Sequence, residues 1–386
     1  MFRPTRILQV AVASLFLSGC ATSGNGPQAT AADTAQSQNQ TIVSNDRINS
    51  SRSRRPGKSF SVPGDFLNSQ GQLLPELQAF AQDTARTQQL PLDEVEALLK
   101  SARYDATAVR LMTPPTRTGR IRRAWFSYRT RHVDPIRIRR GVQFWQDHHT
   151  ALERVSARTG VPAAIMVAII GIETVYGQYT GDHRVLDTLT TLGFRYPDPK
   201  RPERQAMFRG QLADLMLLNH QGVLDAWTVE GSFAGAMGLP QFMPGSLMRY
   251  AVSYEGRRQV DLTNSPEDAI ASVGNFLQAH GWVRDVPVFA PVRLPANASQ
   301  LTQDGLEPMS DWTHLEAEGA RALPGAGSRW QSQPLGVIDL QDEIRGTHEY
   351  RCATPNFFAI TKYNRSYFYA ASVADLAREI ADRMGS

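Results

Sequence analysis

The run Val161-Pro162-Ala163-Ala164-Ile165-Met166-Val167-Ala168-Ile169-Ile170-Gly171-Ile172-Glu173-Thr174-Val175-Tyr176-Gly177 decides the fold class. Eight consecutive apolar residues begin at Ala163, and Pro162 suits the first turn of a helix, where its missing N–H is not needed. This is the most hydrophobic helix in the mature chain, and it ends in an acid. Glycine and aromatic residues suited to a cleft wall follow that acid. Apolar surroundings penalise a carboxylate and raise its pKa, so Glu173 is positioned to stay protonated near neutrality. A general acid for a glycosidic oxygen needs that property. A glutamate at a helix end is also commonly a plain solvated residue, so position alone leaves both readings open.

Outward from this run the periodicity stays helical. Leu73, Leu74, Leu77 and Phe80 share one face, as do Leu92, Val95, Leu98 and Leu99 after Pro91. Residues 142–158 and 212–218 continue the pattern. Ser265-Pro266-Glu267-Asp268 caps a helix that runs to His280 and stops at Gly281. After Trp282 the texture changes: Val286, Val288, Val292 and Leu294 alternate between prolines, and Val337, Ile338 and Leu340 form another short run. These predict a small, loop-rich antiparallel sheet over 284–350. A last helix spans 372–384. The class is mainly α (α+β).

A second cluster, Gly231-Ser232-Phe233-Ala234-Gly235-Ala236-Met237-Gly238-Leu239-Pro240-Gln241-Phe242-Met243-Pro244, mixes small residues with isolated polar groups. Small residues let a ligand approach backbone amides, and Ser232 and Gln241 can hydrogen-bond sugar substituents. Read alone, it is equally a tight glycine-rich loop. No Cys/His cluster, HExxH or phosphate-binding glycine loop occurs, so no metal or cofactor is expected.

The chain has 386 residues and a formal charge of +4, with many arginines between Arg103 and Arg140. Such a surface favours anionic partners or is a solvated helix face. The N-terminus excludes nucleic acid as the natural partner by pointing to export. Arg3 and Arg6 precede an apolar stretch over 7–17, too short to span a bilayer. It ends in Leu17-Ser18-Gly19-Cys20, which looks like a lipoprotein cleavage and lipidation signal, with the Cys20 thiol as acyl acceptor. Several acyl chains make a stable anchor where one would be marginal. Ala21 favours sorting to the periplasmic face of the outer membrane. Residues 21–65 are polar and cannot bury enough surface to fold, so they read as a disordered tether. Cys352 is the only other cysteine, so no intrachain disulfide is expected, and it reads as a small buried hydrophobe.

Taken together, Glu173, the 231–244 cluster, Arg184 to Leu192, Ala279-His280-Gly281-Trp282, Pro355-Asn356-Phe357 and Tyr363-Asn364-Arg365-Ser366 resemble the B-type membrane-bound lytic murein transglycosylases. The resemblance implies a lysozyme-like helical core with a helical flank and a small antiparallel β module. It divides the chain into signal 1–20, tether 21–65, helical region 66–150, core 151–283, β module 284–350 and a returning segment 351–386. It implies Glu173 as the single acid/base, with Ser232, Met237 and Gln241 against the sugar. Tyr128, Tyr363, Asn364 and Tyr369 match active-site positions, and Arg204 matches an arginine facing peptide or sugar substituents.

The implied substrate is the peptidoglycan glycan strand, cut with closure of a 1,6-anhydro ring. Two other classes stay open: a lysozyme-type hydrolase using Asp182, Asp187 or Glu230 as second carboxylate, and a non-catalytic peptidoglycan-binding lipoprotein. No cell-wall synthesis or divisome partner is identified by the sequence. Phe276 stands where members can carry tyrosine. Some members hold calcium where this chain reads Ser253-Tyr254-Glu255-Gly256-Arg257-Arg258-Gln259-Val260-Asp261, whose arginines oppose a dication. Cys20→Ala should abolish incorporation of a palmitate analogue in metabolic labelling; equal labelling of the variant would exclude Cys20 as the acceptor.

Overall fold

The computed structural model describes residues 66–114, 122–257, 259–325 and 327–385. The signal segment, Cys20 and the whole of the 21–65 tether lie outside the described residues. Fourteen helices are described. They are α1 (Pro75–Gln88), α2 (Leu92–Ser101), α3 (Ala106–Met112), α4 (Trp125–His132), α5 (Pro135–Asp147), α6 (His149–Thr159) and α7 (Ala163–Thr174). Then come α8 (Val185–Phe194), α9 (Pro202–His220), α10 (Pro244–Tyr250), α11 (Pro266–Ala279), α12 (Trp312–Ala317), α13 (Pro355–Tyr363) and α14 (Tyr367–Met384).

Helix α7 is the axis of the core. Every residue from Ile165 to Thr174 is buried, and α5, α6, α11 and α14 pack around it. A helix apolar on all sides has no face to give to water, so its neighbours must enclose it. Each buried isoleucine contributes about 1.5–3 kcal/mol by leaving water. Local signals then fix where the enclosing helices begin. Asp134 caps α5 by accepting from the amides of Ile136 and Arg137. Ser265 caps α11 as expected, and Ser366 caps α14 through the amide of Tyr369. The first helix starts at Pro75, after Leu73 has paired with Leu67 in an isolated bridge. Leu73 and Leu74 therefore precede the helix their spacing suggested, because proline defines its first turn.

The strands form three antiparallel pairs. β1 (His183–Arg184) pairs with β2 (Glu230–Gly231), tying the loop after Glu173 to the glycine-rich cluster. Within 284–353 there are two separate pairs rather than one sheet. β3 (Val292–Arg293) pairs with β4 (Arg321–Ala322), and β5 (Gly336–Asp342) forms a hairpin with β6 (Thr347–Ala353). Val286, Leu315, Trp330, Leu335, Val337 and Cys352 make a small hydrophobic cluster of their own there. Burial pushes the Cys352 thiol up to about 12, which leaves it unreactive.

One ion-pair network ties this module to the helices. Asp375 on α14 is 2% exposed and accepts from Arg129 of α4 at 2.6 Å and from Arg351 of β6 at 2.7 and 3.1 Å. Burial alone would raise the Asp375 pKa, but the hydrogen bonds and charge of Arg351 and Arg129 outweigh it and hold the carboxyl below its usual range. With the folded pKa below the unfolded one, the contribution to stability is present above the unfolded value of about 3.9 and is lost as pH falls through the folded value. Asp375→Asn should therefore cost on the order of 3 kcal/mol at neutral pH, because it leaves Arg129 without a carboxylate and Arg351 with Glu349 alone. The loss should shrink in acid, as thermal melts at pH 7 and pH 3 would reveal.

Candidate active site

Glu173 occupies the last turn of α7 and is 4% exposed. Immediately after it the chain reverses through three successive left-handed residues, Val175, Tyr176 and Gly177, at φ 51°, 59° and 85°. That conformation is costly for a β-branched valine, so something must hold it. Tyr176 is the main brace. Its Oη donates to the Arg137 carbonyl at 3.0 Å, and Gly171 lacks the Cβ that would meet that oxygen at 2.3 Å. Tyr176 thus braces the turn against α5 instead of forming the cleft wall that the sequence suggested.

Thr174 does a second job at the same point. Its hydroxyl donates to the Leu239 carbonyl at 2.9 Å and accepts from the Gly177 amide at 3.0 Å. The glycine-rich cluster is thereby pinned beside the acid. Within it, the Met237 and Phe242 backbones exchange two hydrogen bonds and close the Gly238–Gln241 turn. Gly238 has φ 69°, and a Cβ there would meet the Leu262 carbonyl at 2.4 Å. Ser232 Oγ accepts from the amides of Ala236 and Ala234 at 3.1 and 3.4 Å, so it staples the loop while its own proton stays available to donate. Gln241 Nε2 donates to the carbonyls of Thr180 and Gly238 at 3.1 and 3.0 Å. That orientation leaves Oε1, an acceptor, as the open end of the side chain.

The returning segment completes the wall. Tyr369 is fully buried, and its Oη donates to Glu173 Oε1 at 2.6 Å. Tyr363 donates to the Pro240 carbonyl, and its ring lies 6.3 Å from that of Tyr369 at an interplanar angle of 8°. Burial, with the negative charge of Glu173 adding to it, pushes both phenols well above their ordinary value. They stay neutral, so Tyr369 remains a donor wherever the protein is folded. Phe276, the departure from tyrosine, packs 4.8 Å from the Tyr363 ring as part of the core. Asn364 is half-buried just beyond α13, and its side-chain amide makes no hydrogen bond among the described residues.

Tyr128 on α4 is 9% exposed and lies near enough to Tyr369 to add to the upward push on that phenol. It stacks at 4.2 Å on His132, a residue the sequence reading passed over. His132 Nδ1 lies 2.9 Å from the Tyr128 carbonyl, which can only accept, so the proton sits on Nδ1. Burial drives His132 down to about 4 and keeps it neutral. The spacing of four between Tyr128 and His132 was the available signal. Arg204 has a different partner. It is 4% exposed on α9, where burial lowers its pKa and Tyr196 hydrogen-bonds it.

The candidate second carboxylates are otherwise engaged or open to water. Asp187 accepts from the Arg103 amide at 2.9 Å and from Arg184 at 3.1 Å. Asp182 and Glu230 are exposed. In the 253–261 segment the Asp268 oxygens are taken by the amides of Tyr254 and Asp261, with Arg257 3.6 Å away. Those donors do not fit a calcium site, which needs several free oxygens.

A buried carboxyl at a helix end, a phenol on it and a stapled glycine-rich loop beside it define a lysozyme-like glycan-cleaving class. Residues 72–378 match the Transglycosylase SLT domain, and the chain belongs to that family. It is 33% identical over 326 residues to membrane-bound lytic murein transglycosylase B of Escherichia coli, covering 82% of this chain and 84% of that one. Soluble lytic transglycosylase SltB1 from Pseudomonas aeruginosa superposes with a TM-score of 0.71 at 35% identity, covering 81% of this chain and 100% of that one. SltB3 from Pseudomonas aeruginosa, solved with NAG-NAM-pentapeptide, superposes with a TM-score of 0.68 at 28% identity, covering 79% of this chain and 78% of that one. Tyr369→Phe should lower kcat about tenfold with little change in KM, the worth of one hydrogen bond to a reacting carboxyl. Turnover on purified sacculi, with circular dichroism as the folding control, measures it.

Proposed function

We propose that this chain is a lytic transglycosylase that cleaves the MurNAc-β-1,4-GlcNAc bond of peptidoglycan, with Glu173 as its only acid/base. The observation that carries the reading is the Glu173 carboxyl itself: buried, held by a neutral phenol, and beside a loop whose spare polar atoms are Ser232 O–H and Gln241 Oε1. In the first step Glu173 gives its proton to the glycosidic oxygen as the C1–O bond breaks. The same carboxylate then takes the proton of the MurNAc C6 hydroxyl, whose oxygen bonds to C1. Proton and bonds balance, and no water is consumed.

A nucleophile on the same sugar has a large effective concentration over water, provided the site excludes solvent. The acetamido group of the substrate can stabilise C1 during the exchange, so a second enzyme carboxylate is not required. The engagement of Asp187 and the exposure of Asp182 and Glu230 favour this route over hydrolysis. Ser232 would donate to a sugar oxygen, Gln241 would accept from a hydroxyl or amide, and Asn364 can do either. Met237 supports the turn that presents Gln241, while Tyr128 would offer a stacking surface. Arg204, on α9 beside Tyr196, would face peptide or sugar substituents of the strand. Anchorage through Cys20 to the periplasmic face of the outer membrane is part of the same proposal, supported by the membrane-bound relative.

Digestion of sacculi in oxygen-18 water should release muropeptides ending in unlabelled 1,6-anhydroMurNAc, resistant to borohydride. Labelled, reducible ends would make the enzyme a hydrolase. Glu173→Gln should lower turnover by at least ~10²-fold with a native circular dichroism spectrum; near-parental turnover would remove Glu173 from the mechanism.

A further inference from the structure

Away from Glu173, at the opposite end of α7, the structure contains a cavity of about 870 Å³. It opens between the start of α4, the β5–β6 hairpin and the outer face of α14. Glu173 does not line it. Ala164, which does, stands about 14 Å down the helix axis from Glu173 at 1.5 Å rise per residue.

The polar groups of the cavity are unbalanced in one direction. Its carboxylates are all engaged. Asp375 accepts from Arg129 and Arg351. Asp342 accepts from the amides of Phe126 and Arg345 at 2.9 and 3.0 Å and from the Arg345 guanidinium at 3.3 Å. Glu349 accepts from Trp125 Nε1 at 2.7 Å and from Arg351 Nε at 2.6 Å. The guanidiniums are not saturated. Among the described residues Arg129 uses only its Nε, and Arg345 uses only one terminal nitrogen. Arg378 makes no hydrogen bond there, its nearest carboxylate oxygen being 3.9 Å away on Asp375. The side chains of Arg129, Arg345 and Arg378 are 33%, 43% and 62% exposed, so their spare N–H groups are open to a ligand.

The floor between them is apolar. Phe126 is 53% exposed, with the Arg345 guanidinium 3.9 Å from its ring centroid, and Ile165, Val288 and Ala381 continue the surface. Spare donors at three separate points over an apolar floor select a ligand with several carboxylates on a short aliphatic frame. A simple ion would leave most of the volume empty.

We propose that this cavity is a second binding site, distinct from the glycan cleft, for a short acidic peptide: the stem peptide carried by peptidoglycan. The choice of peptide rests on the reading under Proposed function. Arg129, Arg345 and Arg378 receive the carboxylates, and the apolar floor receives the alanine methyls. A strand held here stays near the enzyme without occupying the site of cleavage.

The test uses a fluorescently labelled, glycan-free pentapeptide (Ala-γ-D-Glu-diaminopimelate-D-Ala-D-Ala) and full-length protein. Anisotropy should show saturable binding, unchanged in Glu173→Gln and weakened at least tenfold in Arg378→Glu. Arg345→Gln should weaken it as well, and amidation of the peptide carboxylates should have the same effect. Arg378→Glu should cut amidase-stripped glycan strands at the parental rate and intact sacculi about threefold more slowly. If the parent fails to cleave any glycan yet binds the peptide in this way, the site stands and the proposed reaction falls. Absence of saturable binding would overturn the site. So would binding that survives both arginine substitutions, or that stripped glycan strands displace. Arg378-dependent binding of phosphatidylglycerol vesicles in place of the peptide would overturn it in favour of a lipid headgroup.

Discussion

Everything in this molecule turns on placing one carboxyl at the end of a helix that has no solvent face. Helix α7 is buried from Ile165 to Thr174, so its last turn lies deep enough to put Glu173 out of bulk water. A carboxyl in that position needs a partner, because burying it alone costs several kcal/mol. The partner is Tyr369, whose own burial keeps its proton in place. The two groups lie 196 residues apart in the chain. Their contact therefore requires that α14 return to pack along α7, which it does.

The rest of the site is organised by what must happen directly after Glu173. The chain has to leave the helix sharply to keep the carboxyl uncovered, and it does so with Val175 and Tyr176 left-handed. The cost of that turn is met locally by Tyr176 against α5 and by Thr174 against the glycine-rich loop. Thr174 links the two motifs physically: the bond to Leu239 holds the loop that carries Gln241 and Ser232 beside the helix end that carries Glu173. Glycines matter at two positions here. Gly171 makes room for the Tyr176 hydroxyl, and Gly238 lets the loop approach the Leu262 carbonyl. A methyl group at either would push the loop or the brace away from the acid.

The small β module has a structural relation to this centre through Asp375. That carboxylate joins Arg351 of the hairpin to Arg129 of the helix that carries Tyr128. Arg129 and Tyr128 are adjacent on α4, so the network and the tyrosine share a turn of helix. It gives the hairpin a fixed attachment at the end of the core opposite Glu173.

The mainly helical class, the central apolar helix, the caps at Ser265 and the acid at Glu173 were all legible in the order of residues. Each depends on neighbours within a turn or two, where hydrophobic spacing and hydrogen-bonding chemistry are sufficient. Ser232 and Gln241 were legible as polar points in a small-residue loop, but not which of their atoms remained free. That was settled by the amides of Ala234 and Ala236 and by the Thr180 and Gly238 carbonyls, which the folded loop brings to them. Tyr176 read as a wall and proved a brace, since its target, Arg137, lies on another helix. His132 went unnoticed because a histidine in a basic stretch has no local mark of burial. Arg204 was named by the resemblance alone, and its neighbour Tyr196 came only with the fold. The sheet predicted over 284–350 became two separate pairs because strand alternation reports which residues face inward and not which strands meet. Sequence by itself determined the elements and the chemical types at the site, since those rest on short-range periodicity and capping. Only tertiary packing decided which donor meets which acceptor, because those partners lie far apart in the chain and burial sets their protonation and direction.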